Sequence, residues 1–294
     1  MPQNKIIKRV GIITKRNIEG KEKFIRKIVA YLKRKNLEII LDTNACKLFR
    51  KIEGCKKTQI LSKADLVITM GGDGTLLKTA RRVSRRKILV LGVNFGTLGF
   101  LTECKPDRTI DCLNKVFDKQ FHVDKRSLLR TTIYRQGNKI ATYLALNDAV
   151  INQGAFARLI TMDLEVDNRK ITKISADGLI CSTPTGSTAH SLSAGGPIVH
   201  PKIQGLVISP ICPSSLSMRP IVMPDNKQVT VTIETKRRDE SAIIGLTLDG
   251  QDMMVLRYGD KIKFRRSSRN LYMIRTGNKY FKVLRQKLHW GDFN

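Results

Sequence analysis

The chain has 294 residues, 41% of them hydrophobic, which suffices for a proper core in one large or two ordinary domains and excludes a disordered polymer. Lys and Arg number 54 against 25 Asp and Glu, and the formal net charge of +29 brings anionic partners into consideration. The basic residues are scattered in twos and threes, as at Arg81-Arg82, Arg85-Arg86-Lys87, Lys236-Arg237-Arg238 and Arg265-Arg266, and aromatics are only 6%, so a solvated basic surface explains the charge better than a nucleic-acid face. The six cysteines (Cys46, Cys55, Cys104, Cys112, Cys181, Cys212) form no Cys-x-x-Cys pair and have no histidines at zinc-finger spacing, which reads as reduced thiols. The first fourteen residues hold too few apolar side chains for a secretory signal, and no apolar run approaches the roughly 18 residues a membrane span needs. A cytoplasmic protein without membrane contact is expected.

In chain order, Val10 to Ile13 reads as a short strand. Phe24, Ile25, Ile28, Val29 and Leu32 follow helical spacing with lysines and arginines opposite, and Leu37 to Leu41 reads as the next strand. Asp65 to Met70 is a short, bounded, β-branched run, hence a buried parallel strand, and it leads through Gly71-Gly72-Asp73-Gly74-Thr75 into a helix over Leu76 to Val83. Ile88 to Gly92 is one more strand. Strands alternating with helices predict an α/β domain with a Rossmann-like parallel sheet. The loop Asn94-Phe95-Gly96-Thr97-Leu98-Gly99-Phe100-Leu101 then lies beside the first glycine turn, at the carboxyl ends where open α/β sheets bind ligands. An ordinary turn into the next element is its other reading.

After Pro106 comes a helix over Leu113 to Phe117, and from Leu128 the segments alternate with period two, as in Ile160 to Val166 and Val229 to Ile233. Turn pairs separate them at Gly137-Asn138, Asp167-Asn168, Asp249-Gly250 and Gly277-Asn278. The expected organisation is an α/β phosphate-binding domain over 1–104 and a β-rich, sandwich-like domain over 105–275. A tail over 276–294 follows, with Phe281, Leu284 and Leu288 on one helical face packing back on the first domain.

Two stretches carry candidate chemistry. Glycines let backbone approach a ligand, and a helix start offers N–H groups to an anion, so the 71–75 turn suits phosphate. A carboxylate there repels phosphate unless it binds metal or takes a proton, which makes Asp73 a candidate catalytic group; a tight turn with a capping Asp is the alternative. The run from Asp177 to Pro197 is dense in hydroxyls and glycines, which suits a polar pocket or else an extended surface loop. Asn147-Asp148 ends an apolar strand and taken alone is a turn. His122, His190, His200 and His289 form no metal cluster, and neither a P-loop nor a Gly-x-Gly-x-x-Gly fingerprint is present.

Taken together, Gly71 to Thr75, Asn94 to Leu101, Asn147-Asp148 and the run from Asp177 to Pro201 resemble the bacterial NAD kinase family, over roughly residues 8 to 275. The first motif is shared with diacylglycerol and sphingoid lipid kinases, but there it usually continues Leu-Asn-Glu, against Leu76-Leu77-Lys78 here. The resemblance implies transfer of the γ-phosphoryl group of ATP, or in some members polyphosphate, to the 2′-hydroxyl of the adenosine ribose of NAD. It implies Asp73 as acceptor of the hydroxyl proton, Gly74 and Lys78 as substrate contacts, and Asn147 and Asp148 as holders of ribose and amide groups. Asp177 with Thr188, Ala189, His190, Ser191, Leu192 and Ser193 would line the NAD site, Ser175 counts among the substrate-binding positions, and Arg158 and Gln251 would lie at the periphery. His190 stands where relatives usually have Tyr, and Ser175 where some have Arg. A divalent ion, Mg2+, and a homo-oligomer, dimer or tetramer, are implied as well. Two other readings compete: a lipid kinase, which needs an apolar acyl channel, and a nucleic-acid binder, whose affinity falls steeply with salt.

Overall fold

The computed structural model describes residues 6–50, 52–97, 99–153, 159–235, 243–277 and 280–290. The chain divides into two compact units, Met1–Lys125 with Asn270–Asn294, and Arg126–Arg269.

In the first unit β1 (Arg9–Thr14), α1 (Glu22–Arg34), β2 (Glu38–Asp42), β3 (Gly54–Cys55), α2 (Lys57–Lys63), β4 (Leu66–Gly71), α3 (Asp73–Ala80), β5 (Leu89–Asn94) and α4 (Thr109–Phe117) follow one another. The sheet is parallel in the order β3-β2-β1-β4-β5. Every residue of β4 and β5 is buried, as expected of strands covered on both faces. Helix α1 turns Ile25, Ile28, Val29 and Leu32 inward, the face its periodicity marked. Gly71 at the end of β4 pairs with Asn94 at the end of β5, so the two glycine-rich loops leave neighbouring strands at the same edge.

Helix α4 sends Cys112, Leu113 and Val116 into the same core as β1, β4 and β5. The first unit therefore runs to Lys125, beyond the boundary expected near residue 105, because the change of texture after Pro106 precedes the last helix of the α/β core.

The second unit is antiparallel. It takes in most of β6 (His122–Arg135), then β7 (Asn138–Ala145), β8 (Asp148–Gln153), β9 (Ile160–Val166), β10 (Arg169–Ser182), the single-turn α5 (His190–Ser193), β11 (Gly205–Pro213), β12 (Ile221–Pro224), β13 (Val229–Ile233), β14 (Ile244–Leu248) and β15 (Asp252–Leu256). The long β16 (Lys261–Arg275) starts here against β13, and its Tyr272 and Met273 pair with Leu89 and Val90 of β5 in the first unit's sheet. Alternation along β9 buries Ile160, Met162, Leu164 and Val166 in the core. Asp167 and Asn168, both with left-handed φ (48° and 63°), make the two-residue turn from β9 to β10. The β6–β7 turn falls on Gln136-Gly137 rather than Gly137-Asn138, because Asn138 is already paired with Arg135 in the ladder. Of the pair Gly277-Asn278, Asn278 lies outside the described residues.

Strand β10 serves three partners along its length. Its first half pairs with β9 and its second half, Gly178–Ser182, with β8 and β11. The first six residues of the small-residue run are thus strand, not loop. Helix α6 (Tyr280–Leu288) belongs to the first unit, and of the expected face it buries Leu284 and half-buries Leu288, with Val283 buried beside them and Phe281 left outside. Phe281 is 63% exposed and lies edge-on against Tyr280.

Candidate active site

In the first unit Asp73 opens α3 at the edge where the two glycine loops meet. Its Oδ2 accepts the backbone N–H groups of Phe100 (3.0 Å) and Leu101 (3.3 Å), and its Oδ1 accepts the N–H (3.2 Å) and hydroxyl (3.3 Å) of Thr102. The carboxylate therefore ties the second loop to the first. Gly99 is required for this approach, since a Cβ there would lie 2.3 Å from both Asp73 oxygens. Asn94 supports the same loop: its amide donates to Thr97 O (2.7 Å) and Thr102 Oγ1 (3.2 Å), and its Oδ1 accepts from Gly96 N–H (2.8 Å).

Cations surround this edge. The ammonium groups of Lys15 and Lys21 both lie over the Phe95 ring, 5.8 and 5.9 Å from its centre, and the Phe95 N–H donates to Gly71 O (2.6 Å). Lys78 is exposed one turn along α3 from Gly74, which is also exposed. Lys57 is held below the usual lysine range by burial and by the nearby charges of Arg82 and Lys78, against the pull of Asp42.

In the second unit the site is built around Asn147-Asp148. Asp249, in the turn between β14 and β15, accepts the N–H groups of Leu146 (3.0 Å), Asn147 (2.8 Å) and Asp148 (3.3 Å). The backbone of Asn147 lies directly on Gly186, where a Cβ would fall 2.2 Å from Asn147 O. Thr183 N–H donates to Asn147 O (2.8 Å) and its hydroxyl to Leu146 O (2.5 Å). The side chain of Asp148 is buried, and among the described residues its Oδ1 has no hydrogen-bond partner. Burial first, then the neighbouring Asp249 charge, push its carboxyl up to about 7, against the N–H of His190, which stabilises the ion. Burial and the Asp148 charge also raise the thiol of Cys181, the residue paired with Ala149 next along the ladder. A buried carboxyl with one free oxygen, among hydroxyls and close-packed glycines, can accept a hydroxyl or amide donor from a ligand.

The other residues singled out in the sequence distribute unevenly. Thr188 and Ala189 are half-buried and His190 is exposed beside Asp148. Ser191 and Ser193 share no face, because 190–193 is helical. Ser191 is fully buried and its hydroxyl is bonded to Ser209 (3.0 Å), whereas Ser193 is exposed and Leu192 half-buried. Ser175 lies on the first half of β10 beside Thr161 (3.4 Å), roughly 20 Å along the strand from Ser182 at the Asp148 end, and Asp177 stands between the two halves. Gln251 closes the Asp249 turn through its N–H to Leu248 O (3.0 Å). Arg158 lies outside the described residues. Sequence reasoning missed Asp249, which it took only for a turn residue, and Arg126, a buried guanidinium donating to Thr185 Oγ1 (3.2 Å).

Among the described residues no group of three or more His, Cys, Asp or Glu side chains could hold a metal ion. Both Asp73 oxygens already accept hydrogen bonds, so the residues present do not form a metal site of their own. No helix among them is long and apolar enough to cross a membrane.

In the first unit a carboxylate fixed between two glycine turns at a cation-lined sheet edge suits phosphoryl transfer, and in the second a carboxyl buried among hydroxyls suits a polar, hydroxyl-bearing ligand. The models of the ATP-NAD kinase N-terminal and C-terminal domains match residues 10–121 and 146–276. The chain is 42% identical over 266 residues to the NAD kinase of Geotalea daltonii, covering 90% of this chain and 92% of the relative. It is 41% identical over 288 residues to that of Geobacter sulfurreducens, covering 97% and 100%. Among solved structures, an Archaeoglobus fulgidus NAD kinase in complex with ATP superposes with a TM-score of 0.74 at 25% identity, over 96% of this chain and 98% of that one. Yeast NADH kinase complexed with NADH shares the fold, with a TM-score of 0.90 at 24% identity over 99% and 90%. The chain belongs to the NAD kinase family.

Proposed function

We infer that this chain transfers the γ-phosphoryl group of ATP to the 2′-hydroxyl of the adenosine ribose of NAD, giving NADP and ADP. The bond from O2′ to the γ-phosphorus forms, the bond from that phosphorus to the β,γ-bridging oxygen breaks, and the hydroxyl proton passes to Asp73. The observation that carries the reading is the Asp73 carboxylate at the start of α3, beside Gly74 and one turn from Lys78, at an edge where the ammonium groups of Lys15 and Lys21 lie over Phe95. Phosphoryl transfer depends mainly on positioning and charge stabilisation, which that edge supplies. To take the proton, Asp73 must give up one of its four hydrogen bonds to 100–102. NAD is held in the pocket of the second unit by Asn147, Asp148 and the exposed side of 188–193, with Arg158, Ser175, Asp177 and Gln251 as outer contacts. Magnesium enters with ATP as part of the nucleotide substrate.

The experiment is incubation of the purified protein with NAD, ATP and magnesium, read out by an NADP-specific dehydrogenase; no NADP above the blank sinks the reading. Inorganic polyphosphate in place of ATP decides the donor in the same assay. We place the protein in the cytoplasm, where its six free thiols stay reduced. A homo-oligomer is supported by exposed apolar residues on β12 (Ile221, Val222) and β15 (Met253, Val255), and light scattering after gel filtration tests it.

A further inference from the structure

The loop that Asp73 ties down is also held from its other side. Arg275, the last residue of β16, donates to the carbonyl oxygens of Phe100 (3.2 Å), Leu101 (3.2 Å) and Thr102 (3.3 Å). Its side chain is only 12% exposed, and two carboxylates orient it: Glu103 Oε2 at 3.3 Å and Asp124 Oδ2 at 3.2 Å. Glu103 is itself buried and accepts the N–H (3.0 Å) and hydroxyl (2.8 Å) of Thr276. The two peptide groups that join Phe100, Leu101 and Thr102 thus lie between an anion and a cation, N–H toward Asp73 and C=O toward Arg275.

We propose that Arg275 is a positioning residue for phosphoryl transfer: its guanidinium fixes two of the three peptide groups whose N–H bonds aim the Asp73 carboxylate, those joining Phe100 to Leu101 and Leu101 to Thr102. The fork presents five donors in a rigid plane, so it can serve three carbonyls and two carboxylates together, which a lysine ammonium with three donors cannot. Loss of the fork frees the peptides to rotate, and the carboxylate follows them. A misplacement of about 1 Å at a reacting group can lower turnover by roughly 10²-fold. The inference rests on the reading of Asp73 as proton acceptor.

The test uses the full chain with NAD and MgATP and compares Arg275→Lys, Arg275→Ala and Asp73→Asn with the parent. Arg275→Lys keeps a positive charge beside Glu103 and Asp124, so it guards against misfolding of the alanine variant. Turnover is expected to fall about tenfold in Arg275→Lys and about 10²-fold in Arg275→Ala. NAD affinity by calorimetry should hold within about twofold in both, and added guanidinium should restore part of the turnover of Arg275→Ala only. Parental turnover in both Arg275 variants overturns the inference while leaving Asp73 in place if Asp73→Asn is impaired. Turnover and NAD affinity falling together, without guanidinium rescue, reduces Arg275 to a purely structural role and also overturns it. Near-parental turnover of folded Asp73→Asn defeats the Asp73 reading and this inference with it.

Discussion

The two units solve one problem with the same device and divide the labour differently. In each, a carboxylate at a turn collects the backbone N–H groups of a distant loop: Asp73 takes those of Phe100, Leu101 and Thr102, and Asp249 those of Leu146, Asn147 and Asp148. In the first unit the clamp and the proposed working carboxylate are the same residue. In the second they are separate: Asp249 is the clamp, and Asp148 is left buried with an unpartnered oxygen. A clamp spends its acceptors on structure; a residue spared that duty keeps one for a ligand, at a cost in desolvation.

The widest break in that comparison is Asp249→Ala. Three N–H groups lose their acceptor, and an unsatisfied buried donor costs about 1–3 kcal/mol, so the unfolding free energy of the second unit should drop by about 3 kcal/mol or more. Urea denaturation followed by a probe in that unit measures it. Loss of the Asp249 charge should also bring the carboxyl of Asp148 down from about 7, although burial, the larger cause, remains.

Asp148 itself yields a pH dependence. Its folded value of about 7 lies above the ordinary carboxyl value of 3.8. The folded state therefore holds the proton more tightly than the unfolded state. The stability this contributes is fully present below about pH 4, declines as pH rises, and is gone above the folded value. At about 1.4 kcal/mol per unit, the loss is on the order of a few kcal/mol. Asp148→Asn should flatten the stability profile between pH 4 and 7, and a parental slope in that variant would assign the dependence elsewhere. If ribose or amide donors of NAD meet the ionised carboxylate, calorimetry should also show NAD affinity rising from pH 6 to 8.

Asp73→Asn sharpens the contrast from the other side. The amide keeps the shape but turns one acceptor into a donor facing the N–H groups of 100–102, so it disturbs the clamp as well as removing the proton acceptor. Turnover should fall by about 10²-fold or more. Asp249→Asn disturbs a clamp alone, and its turnover per folded molecule should fall less. Equal losses in both would mean that clamping, not proton transfer, is what Asp73 supplies.

How much of this could be read in the sequence follows from the range of the contacts. The strand before Gly71, the helix after it and the turn at Asp167-Asn168 rest on periodicity and local turn chemistry, which a sequence displays directly. Asp249 and Arg275 bond loops about 100 and 175 positions away. Nothing near either residue signals that. The Asp249-Gly250 pair advertised a turn correctly, yet what the carboxylate does there depends on where β8 lies. Likewise the small residues from Asp177 to Ser182 hid a strand, because β10 is buried from Gly178 to Ser182 against two neighbours and has no polar alternation to show.

The finest distinction between clamping and ligand-facing groups lies within one turn of helix. Ser191 and Ser193 were equivalent by sequence, and the helical geometry of 190–193 separates them by about 200°. Ser191 is buried against Ser209, and a Cβ at Gly196 would fall 2.4 Å from its hydroxyl oxygen, so it belongs to the scaffold. Ser191→Ala leaves the Ser209 hydroxyl without that partner and should cost about 1 kcal/mol of stability with little change in NAD affinity. Ser193 is exposed, so Ser193→Ala should shift stability by no more than about 0.5 kcal/mol. If either serine contacts NAD directly, it is Ser193, and calorimetry should show a weaker complex for that variant alone. A loss of NAD affinity confined to Ser191→Ala would reverse the assignment and place the ligand on the buried side of the turn.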